Sequence, residues 1–222
     1  LCEHVDIIYH VGATVNHILN YEQVCDTNVK GTVELIRMAT SCKLKTIHFV
    51  STVSVLSASE QQVDDEKYFT IGPTVGTSEE IVSKLNFSGY AQSKFVAEVL
   101  LQQAVNQCNL PVLVYRPGMI GSSIKTGACN KSGWIAKLVM ASHYLQAYPD
   151  TSDAVQQGYL NVQGVDTVAA AILDLSDMNE AFTSMCSKKK TLKSTGTAFH
   201  LCNSRQGSGA LTLNQLFDKV MK

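Results

Sequence analysis

Three short apolar runs constrain the fold of this 222-residue chain more than any other feature of its sequence. They occupy residues 5–11, 46–51 and 111–118, and small or hydroxyl-bearing residues stand at or just after their ends. A helical pattern covers 21–41, between the first two runs, and another covers 90–107, before the third. Mainly apolar runs of this length are typical of strands covered on both faces of a parallel sheet. The alternation therefore predicts an α/β fold with right-handed crossovers between parallel strands.

The last third of the chain follows a different pattern. Amphipathic helices and short strands are predicted there, the helices over 131–144, 165–175 and 211–221 and the strands over 158–162 and 198–202. The segment 57–88 is polar and has no strong strand signal. We therefore expect a smaller lobe, formed from the last third, above the strand ends of the main sheet.

Composition and charge argue against several classes of function. The net charge is −1 and the one basic block is 188–190, so nucleic acid is not an expected partner. No apolar stretch approaches the ~20 residues of a membrane-spanning helix. The seven cysteines form no C-x-x-C pair, and no histidine is spaced to complete a metal site. We therefore expect free thiols in a reducing compartment, a cytoplasmic location and no metal.

Tyr90 and Lys94 are the first candidates for chemistry. Residues four apart lie on one face of a helix, so the phenol and the ammonium can meet the same ligand. A nearby ammonium is expected to lower the pKa of Tyr90 from its usual value of about 10, which would make it a proton donor and acceptor near neutral pH. This spacing also arises by chance, so an ordinary surface helix remains an alternative.

The strand ends add context to this pair. Thr52 stands at the carboxyl end of the second strand, Gly12 and Ala13 follow the first, and Pro117 and Gly118 close the third. Ligands of open α/β sheets bind at the carboxyl ends of the strands. The hydroxyl, the small residues and the Tyr/Lys helix are therefore expected to line one crevice.

The order of these motifs resembles that of the extended short-chain dehydrogenases. The matching pieces are HVGA at 10–13, NVKGT at 28–32, FVST at 49–52, YAQSK at 90–94 and RPGMIG at 116–121. Within that superfamily the chain is most similar to thioester reductase domains, on the further stretches 89–98, 121–130 and 165–169. Such domains terminate nonribosomal peptide and polyketide synthetases and also occur in carboxylic acid reductases and the fungal aminoadipate reductase.

The resemblance implies roles for the matching positions. Tyr90 would protonate the carbonyl oxygen, Thr52 would hydrogen-bond it, and Lys94 would hold the nicotinamide ribose and tune Tyr90. Further cofactor-binding positions are implied at Gly12, Ala13, Asn28, Pro117, Gly118, Met119 and Ile120. For Asn28 a satisfied core residue is an equally good reading.

The implied reaction is NADPH-dependent reduction of an acyl thioester, held on a phosphopantetheine carrier domain, to an aldehyde and a free thiol. The implied fold is a Rossmann-like, doubly wound parallel sheet that lacks its N-terminal strands. Residues 1–120 would be the C-terminal part of the dinucleotide-binding domain, and 121–222 would be a substrate-binding lobe interleaved with the last sheet elements.

The Gly-rich turn that grips the pyrophosphate in this family does not occur near the start of these residues. NADPH is therefore implied by resemblance alone, and NADH stays open. We expect an exposed sheet edge, poor dinucleotide binding by the chain alone, and upstream domains in a longer polypeptide. Two alternatives stay open: another extended short-chain dehydrogenase, such as a fatty acyl-CoA reductase, a sugar-nucleotide epimerase or a sterol dehydrogenase, and a non-catalytic Rossmann-like scaffold.

Overall fold

A computed structural model describes residues 3–56, 88–148, 159–186, 196–202 and 211–220 of the chain. The polar segment 57–88 therefore lies, except for its last residue, outside the described residues. The chain divides into two compact units, the first made of Leu1–Pro117 and Ser176–His200 and the second of Gly118–Leu175 and Leu201–Lys222.

The described elements are named in chain order. They are β1 (Ile7–His10), α1 (Tyr21–Cys25), α2 (Gly31–Thr40), β2 (Thr46–Val50), α3 (Gly89–Cys108), β3 (Val112–Pro117), β4 (Met119–Gly121), α4 (Trp134–Leu145), β5 (Tyr159–Leu160), β6 (Val162–Gly164), α5 (Val165–Cys186), β7 (Thr197–Leu201), β8 (Leu211–Thr212) and α6 (Leu213–Val220).

The main sheet has four strands in the order β1-β2-β3-β7. β1 pairs with β2 and β2 with β3, both in parallel, so that Ile8 lies opposite Ile47 and Ile47 opposite Val112. The predicted α/β fold with a parallel sheet is confirmed. In the described sheet β1 is an edge strand, and its Tyr9 is 42% exposed.

Successive strand residues face opposite sides of the sheet, and the two sides have different contents. One side joins α2 and α3 in an apolar core that contains Ile8, Ala39, Ile47, Phe49, Ala97, Leu101, Ala104, Val105, Leu110, Val112, Val114 and Ala198. The other side holds a row of stacked rings, one from each strand: Tyr9, His48, Tyr115 and Phe199. The catalytic helix predicted from the sequence therefore packs on the aliphatic side.

Polar groups within the row of rings are joined by hydrogen bonds. His48 Nδ1 lies 2.8 Å from the Tyr115 hydroxyl, and its Nε2 lies 3.3 Å from Ser176 Oγ on α5. Ser176 Oγ lies 2.7 Å from the Tyr9 hydroxyl. Burial lowers the pKa of His48 to about 4, so the ring is neutral at physiological pH.

The helix predicted as one piece over 21–41 is in fact interrupted. A π-helical turn, Asp26–Lys30, separates α1 from α2 and contains the buried Asn28. A capping box sets the start of α1. The Asn20 side chain accepts a hydrogen bond from the Gln23 backbone N–H, and the Gln23 side chain accepts one from the Asn20 backbone N–H. Apolar periodicity does not reveal a π turn, because one extra residue changes the local rotation and leaves the residue types unaltered.

The second unit contains two small sheets. β4 pairs in parallel with β6, and β5 pairs antiparallel with β8. The single strand predicted over 158–162 is therefore two strands, and the helix predicted from 211 begins at Leu213. α5 runs to Cys186, well beyond the predicted residue 175. No helix in the described part of the chain is long and apolar enough to cross a membrane.

Candidate functional site

Tyr90 lies in the first turn of α3, and the chain before it fixes its position. The Ser88 side chain caps the helix by accepting from the backbone of Ala91. At Gly89 the helix approaches α1 so closely that an added Cβ would stand 2.2 Å from the Asn20 carbonyl carbon. Only glycine therefore fits directly before Tyr90.

Burial raises the pKa of Tyr90, whose side chain is 9% exposed. The prediction that the Lys94 ammonium lowers this pKa is wrong for the described structure. Desolvation of the phenolate outweighs any attraction from the neighbouring cation. The phenol is consequently protonated at neutral pH.

Lys94 is 1% exposed, and its Nζ lies 3.8 Å from the centroid of the Phe49 ring on β2. Burial lowers the pKa of Lys94 to about 7, and the charge of Glu98 opposes this shift. The Lys94 charge in turn adds to the burial that lowers the pKa of His10, at the end of β1, to about 4. The ammonium therefore lies within electrostatic reach of the ends of two neighbouring strands.

Thr52 follows β2 and begins a short 3-10 turn, Val53–Val55. Its Oγ1 accepts from the Ser54 backbone at 3.2 Å, and the residue is buried. Immediately after Thr52, Val55 and Leu56 pack on Phe95, the neighbour of Lys94 in α3. This packing brings the Thr52 segment against the helix that bears Tyr90 and Lys94.

Asn28 uses its whole amide within the protein. Its Nδ2 donates to the Thr14 carbonyl at 3.1 Å and to Ser93 Oγ at 2.9 Å, while its Oδ1 accepts from the Thr14 backbone at 2.8 Å. Ser93 Oγ donates to the Tyr90 carbonyl at 2.7 Å. This geometry favours the satisfied-core reading of Asn28, and its contact with a cofactor stays a prediction.

The loop after β1 leaves room for a ligand. Gly12 is exposed, and an added Cβ there would meet no heavy atom within 4 Å; Ala13 is half-buried. At the end of β2, Ser51 Oγ is the one buried side-chain oxygen or nitrogen without a hydrogen-bond partner among the described residues. A buried hydroxyl in need of a partner and an open Gly-Ala loop fit a hydroxyl-rich ligand such as a nicotinamide nucleotide.

The four remaining predicted cofactor residues fall into two units. Pro117 belongs to the first unit, whereas Gly118, Met119 and Ile120 belong to the second. In the second unit the Gly118 backbone donates to Leu201 and the Met119 backbone to Asn161. These two backbone donors are therefore engaged by carbonyl groups of the protein itself.

Two buried charges were not predicted from the sequence. Glu98, on α3, and Arg116, on β3, form an ion pair whose side chains are 1% and 4% exposed. The available signals were an acidic residue four positions after Lys94 and an arginine in an otherwise apolar strand. No group of His, Cys, Asp and Glu able to hold a metal ion occurs among the residues that the structure describes.

Residues 1–172 match the model of an NAD-binding family described as Male sterility protein. The chain belongs to this family. It is 33% identical over 202 residues to a linear gramicidin synthase of Brevibacillus parabrevis, a match that covers 90% of the chain and 3% of the synthase polypeptide. It is 32% identical over 182 residues to a carboxylic acid reductase of Segniliparus rugosus, covering 79% of the chain and 15% of the reductase.

Among solved structures, the terminal R domain of the myxalamid PKS-NRPS pathway is similar at a TM-score of 0.73 and 31% identity. That match covers 98% of this chain and 47% of the other, so the family member described here spans about half of that domain. These likenesses support the extended short-chain dehydrogenase superfamily and its thioester reductase subgroup, a family of NAD(P)H-dependent oxidoreductases.

Proposed function

We propose that the polypeptide containing these residues reduces a carrier-bound acyl thioester to an aldehyde, with NADPH as reductant. The observation that supports this most is the buried Lys94 ammonium over the Phe49 ring, one helical turn after the protonated Tyr90. A buried lysine beside a buried phenol is costly for stability, so a ligand that uses both explains the arrangement.

In the proposed reaction the side chains act on the thioester carbonyl oxygen. Thr52 and Tyr90 donate hydrogen bonds to it, and Lys94 binds the nicotinamide ribose. Bound NADPH would supply a hydride to the carbonyl carbon. As the new C–H bond forms, Tyr90 gives its proton to the oxygen, which produces a thiohemiacetal. The thiohemiacetal then collapses: its C–S bond breaks, its hydroxyl proton passes to the departing sulfur, and the products are an aldehyde and a free thiol.

The raised pKa of Tyr90 suits this direction of reaction. Reduction of a carbonyl consumes a proton, so the group that supplies it must be protonated before turnover. A phenol whose pKa is about 10 or higher is neutral at the pH of the cell, so Tyr90 meets that requirement.

The proposed partner is a carrier domain of the same or another polypeptide, with the acyl group on its phosphopantetheine thiol. Support comes from the relatives, which are a gramicidin synthase, a carboxylic acid reductase and a synthetase R domain. NADPH is proposed over NADH by the same likeness. The Gly-rich turn for the pyrophosphate is proposed to lie in the part of the R domain that this chain does not span.

The test is oxidation of NADPH by the full polypeptide in the presence of an acyl-pantetheine thioester, with Tyr90→Phe and NADH compared in parallel. We expect aldehyde formation that Tyr90→Phe reduces by roughly 100-fold or more, because a proton donor is removed. Binding of NADPH without thioester turnover would retain the family and reject the substrate. Failure of the full polypeptide to bind either nucleotide would favour a non-catalytic scaffold.

A further inference from the structure

Glu98 stands in line with the two catalytic candidates of α3. Tyr90, Lys94 and Glu98 follow one another at intervals of four residues, so their side chains project from one side of the helix. Glu98 is 0% exposed, in a helix whose buried positions are otherwise mainly apolar. A buried carboxylate needs partners that repay its loss of hydration.

Arg116 is that partner, and its position connects the helix to the end of β3. Its Nε donates to Glu98 Oε1 at 3.1 Å and its Nη2 donates to Oε2 at 2.5 Å, a bidentate arrangement that fixes both side chains. Its remaining Nη1 lies 3.3 Å from His200 Nε2 on β7. Arg116 directly precedes Pro117, one of the residues expected to meet the nicotinamide.

Stability alone does not explain this pair. Replacing a buried ion pair with apolar side chains of similar size is often neutral or stabilising, because two charges are then no longer held in water-free surroundings. An apolar pair would lack two properties of the Glu98–Arg116 pair. These are the bidentate geometry of the guanidinium on the carboxylate and the negative charge one helical turn from Lys94. Both properties bear on the proposed reaction.

We propose that Glu98 is a positioning residue of the hydride-transfer site, which holds the end of β3 through Arg116 and places a negative charge one helical turn from Lys94. This inference rests on the proposed function. Besides Glu98, His10 on β1 interacts electrostatically with Lys94, while Arg116 pairs with Glu98 and His200 lies beside Arg116. Glu98 is the one negative charge that acts on Lys94 among the described residues.

The experiment compares Glu98→Gln, which keeps the shape and removes the charge, with Glu98→Asp, which keeps the charge and shortens the side chain. Both are made in the full polypeptide and assayed for thioester reduction across pH. We expect Glu98→Gln to lower kcat by roughly 10-fold or more, with KM for the thioester nearly unchanged, and to move the alkaline limb of the pH profile to lower pH. Glu98→Asp should lower kcat and leave that limb in place.

Glu34→Gln is the matched control, because Glu34 pairs with Arg37 on the exposed surface of α2. It should change neither kcat nor the pH profile. Should Glu98→Gln fail to fold with its arginine unpaired, the double variant Glu98→Met/Arg116→Met removes both charges and should fold while showing the same losses. A folded variant of either kind with the wild-type kcat and pH profile would overturn the proposal.

A second readout needs no turnover and separates this inference from the proposed function. The free energy of unfolding depends on pH through Lys94, and Glu98→Gln should move the onset of that dependence to lower pH. If the wild type fails to reduce thioesters but the onset moves, the proposed substrate is wrong and the electrostatic role of Glu98 stands. If Glu98→Gln leaves the pH of this onset unchanged, the electrostatic role of Glu98 is rejected, whichever substrate the enzyme reduces.

Discussion

Lys94 Nζ lies 3.8 Å above the centroid of the Phe49 ring, so the cation of α3 rests on the face of an aromatic ring of β2. This contact offers the ammonium partial compensation for lost water, since a ring face carries negative potential. It does not restore full hydration, and the pKa of Lys94 falls to about 7. Because the folded protein lowers the pKa of Lys94, its free energy of unfolding should depend on pH.

The first prediction concerns Lys94→Met. The unfolded lysine holds its proton up to about pH 10.5, the folded one only to about pH 7, so the unfolded state binds more protons between these values. The free energy of unfolding of the wild type should therefore rise with pH from about 7 to 9.5, by on the order of 2–3 kcal/mol. Lys94→Met should abolish this rise and be more stable than the wild type at pH 7. Denaturant unfolding at several pH values measures both.

Lys45→Met serves as the control for Lys94→Met. Lys45 is also fully buried, but its Nζ donates to the carbonyls of Ser41 at 2.8 Å and Lys43 at 2.9 Å. Its removal takes a donor from the Lys43 carbonyl and from the Ser41 carbonyl, which keeps the Lys43 backbone N–H, and should destabilise the protein by roughly 1–3 kcal/mol. Destabilisation by Lys94→Met of the same size would contradict the first prediction.

The second prediction concerns acid stability. The unfolded His48 takes up a proton near pH 6.5, the folded one only near pH 4, so in this window the unfolded state binds more protons. The free energy of unfolding should fall as the pH drops from about 6.5 to 4, by on the order of 3 kcal/mol from this residue. In His48→Gln the difference in bound protons between the unfolded and folded states should be smaller by about one, so the free energy of unfolding should depend less steeply on pH in this window.

His10 allows a check on the assignment to His48. Its pKa is lowered to about 4 by burial and by Lys94, so it contributes in the same window. The double variant His10→Gln/His48→Gln should flatten the dependence further than either change alone. If the double variant kept the wild-type slope of the free energy of unfolding with pH, residues other than His10 and His48 would be responsible for the acid sensitivity.

The third prediction concerns Gly89→Ala. The new methyl group would overlap the backbone of Asn20, and both elements must move apart to admit it. We expect a loss of roughly 2–3 kcal/mol in the free energy of unfolding, and a larger relative loss of activity because Tyr90 follows directly. Gly31→Ala is the matched control: its Cβ meets open space at the start of α2, and it should stabilise by about 0.5–1 kcal/mol.

The fourth prediction concerns Ser51→Ala. Removing a buried hydroxyl without a partner should leave the free energy of unfolding unchanged or raise it by up to roughly 1 kcal/mol. If a nicotinamide nucleotide supplies the missing partner, the Kd of NADPH should rise by roughly 5-fold or more, which titration by protein fluorescence measures. Ser93→Ala is the contrast, since Ser93 Oγ has two partners and its loss should destabilise.

The sequence predicted the features that depend on local residue patterns and missed those that depend on burial and on contacts between residues distant in sequence. The parallel sheet and α3 were predicted correctly because burial on both faces leaves long apolar runs and regular periodicity. The pKa of Tyr90 was predicted with the wrong sign, since spacing reveals the neighbour at Lys94 but not how much water both residues lose. The Glu98–Arg116 pair was missed for a related reason: residues 18 apart in sequence meet only after α3 packs on the sheet.

The Asn28 amide bears on how the protein assembles. It joins Thr14, 14 residues before it, to Ser93, 65 residues after it, and in the folded chain all of its donors are used. A partly folded chain with the π turn formed but α3 undocked would lack the hydrogen bond between Asn28 and Ser93, which contributes roughly 0.5–1.5 kcal/mol to the folded protein. Intermediates in which only one of these segments is ordered are thereby disfavoured, and the loop after β1 and helix α3 should become ordered together in a single cooperative folding step.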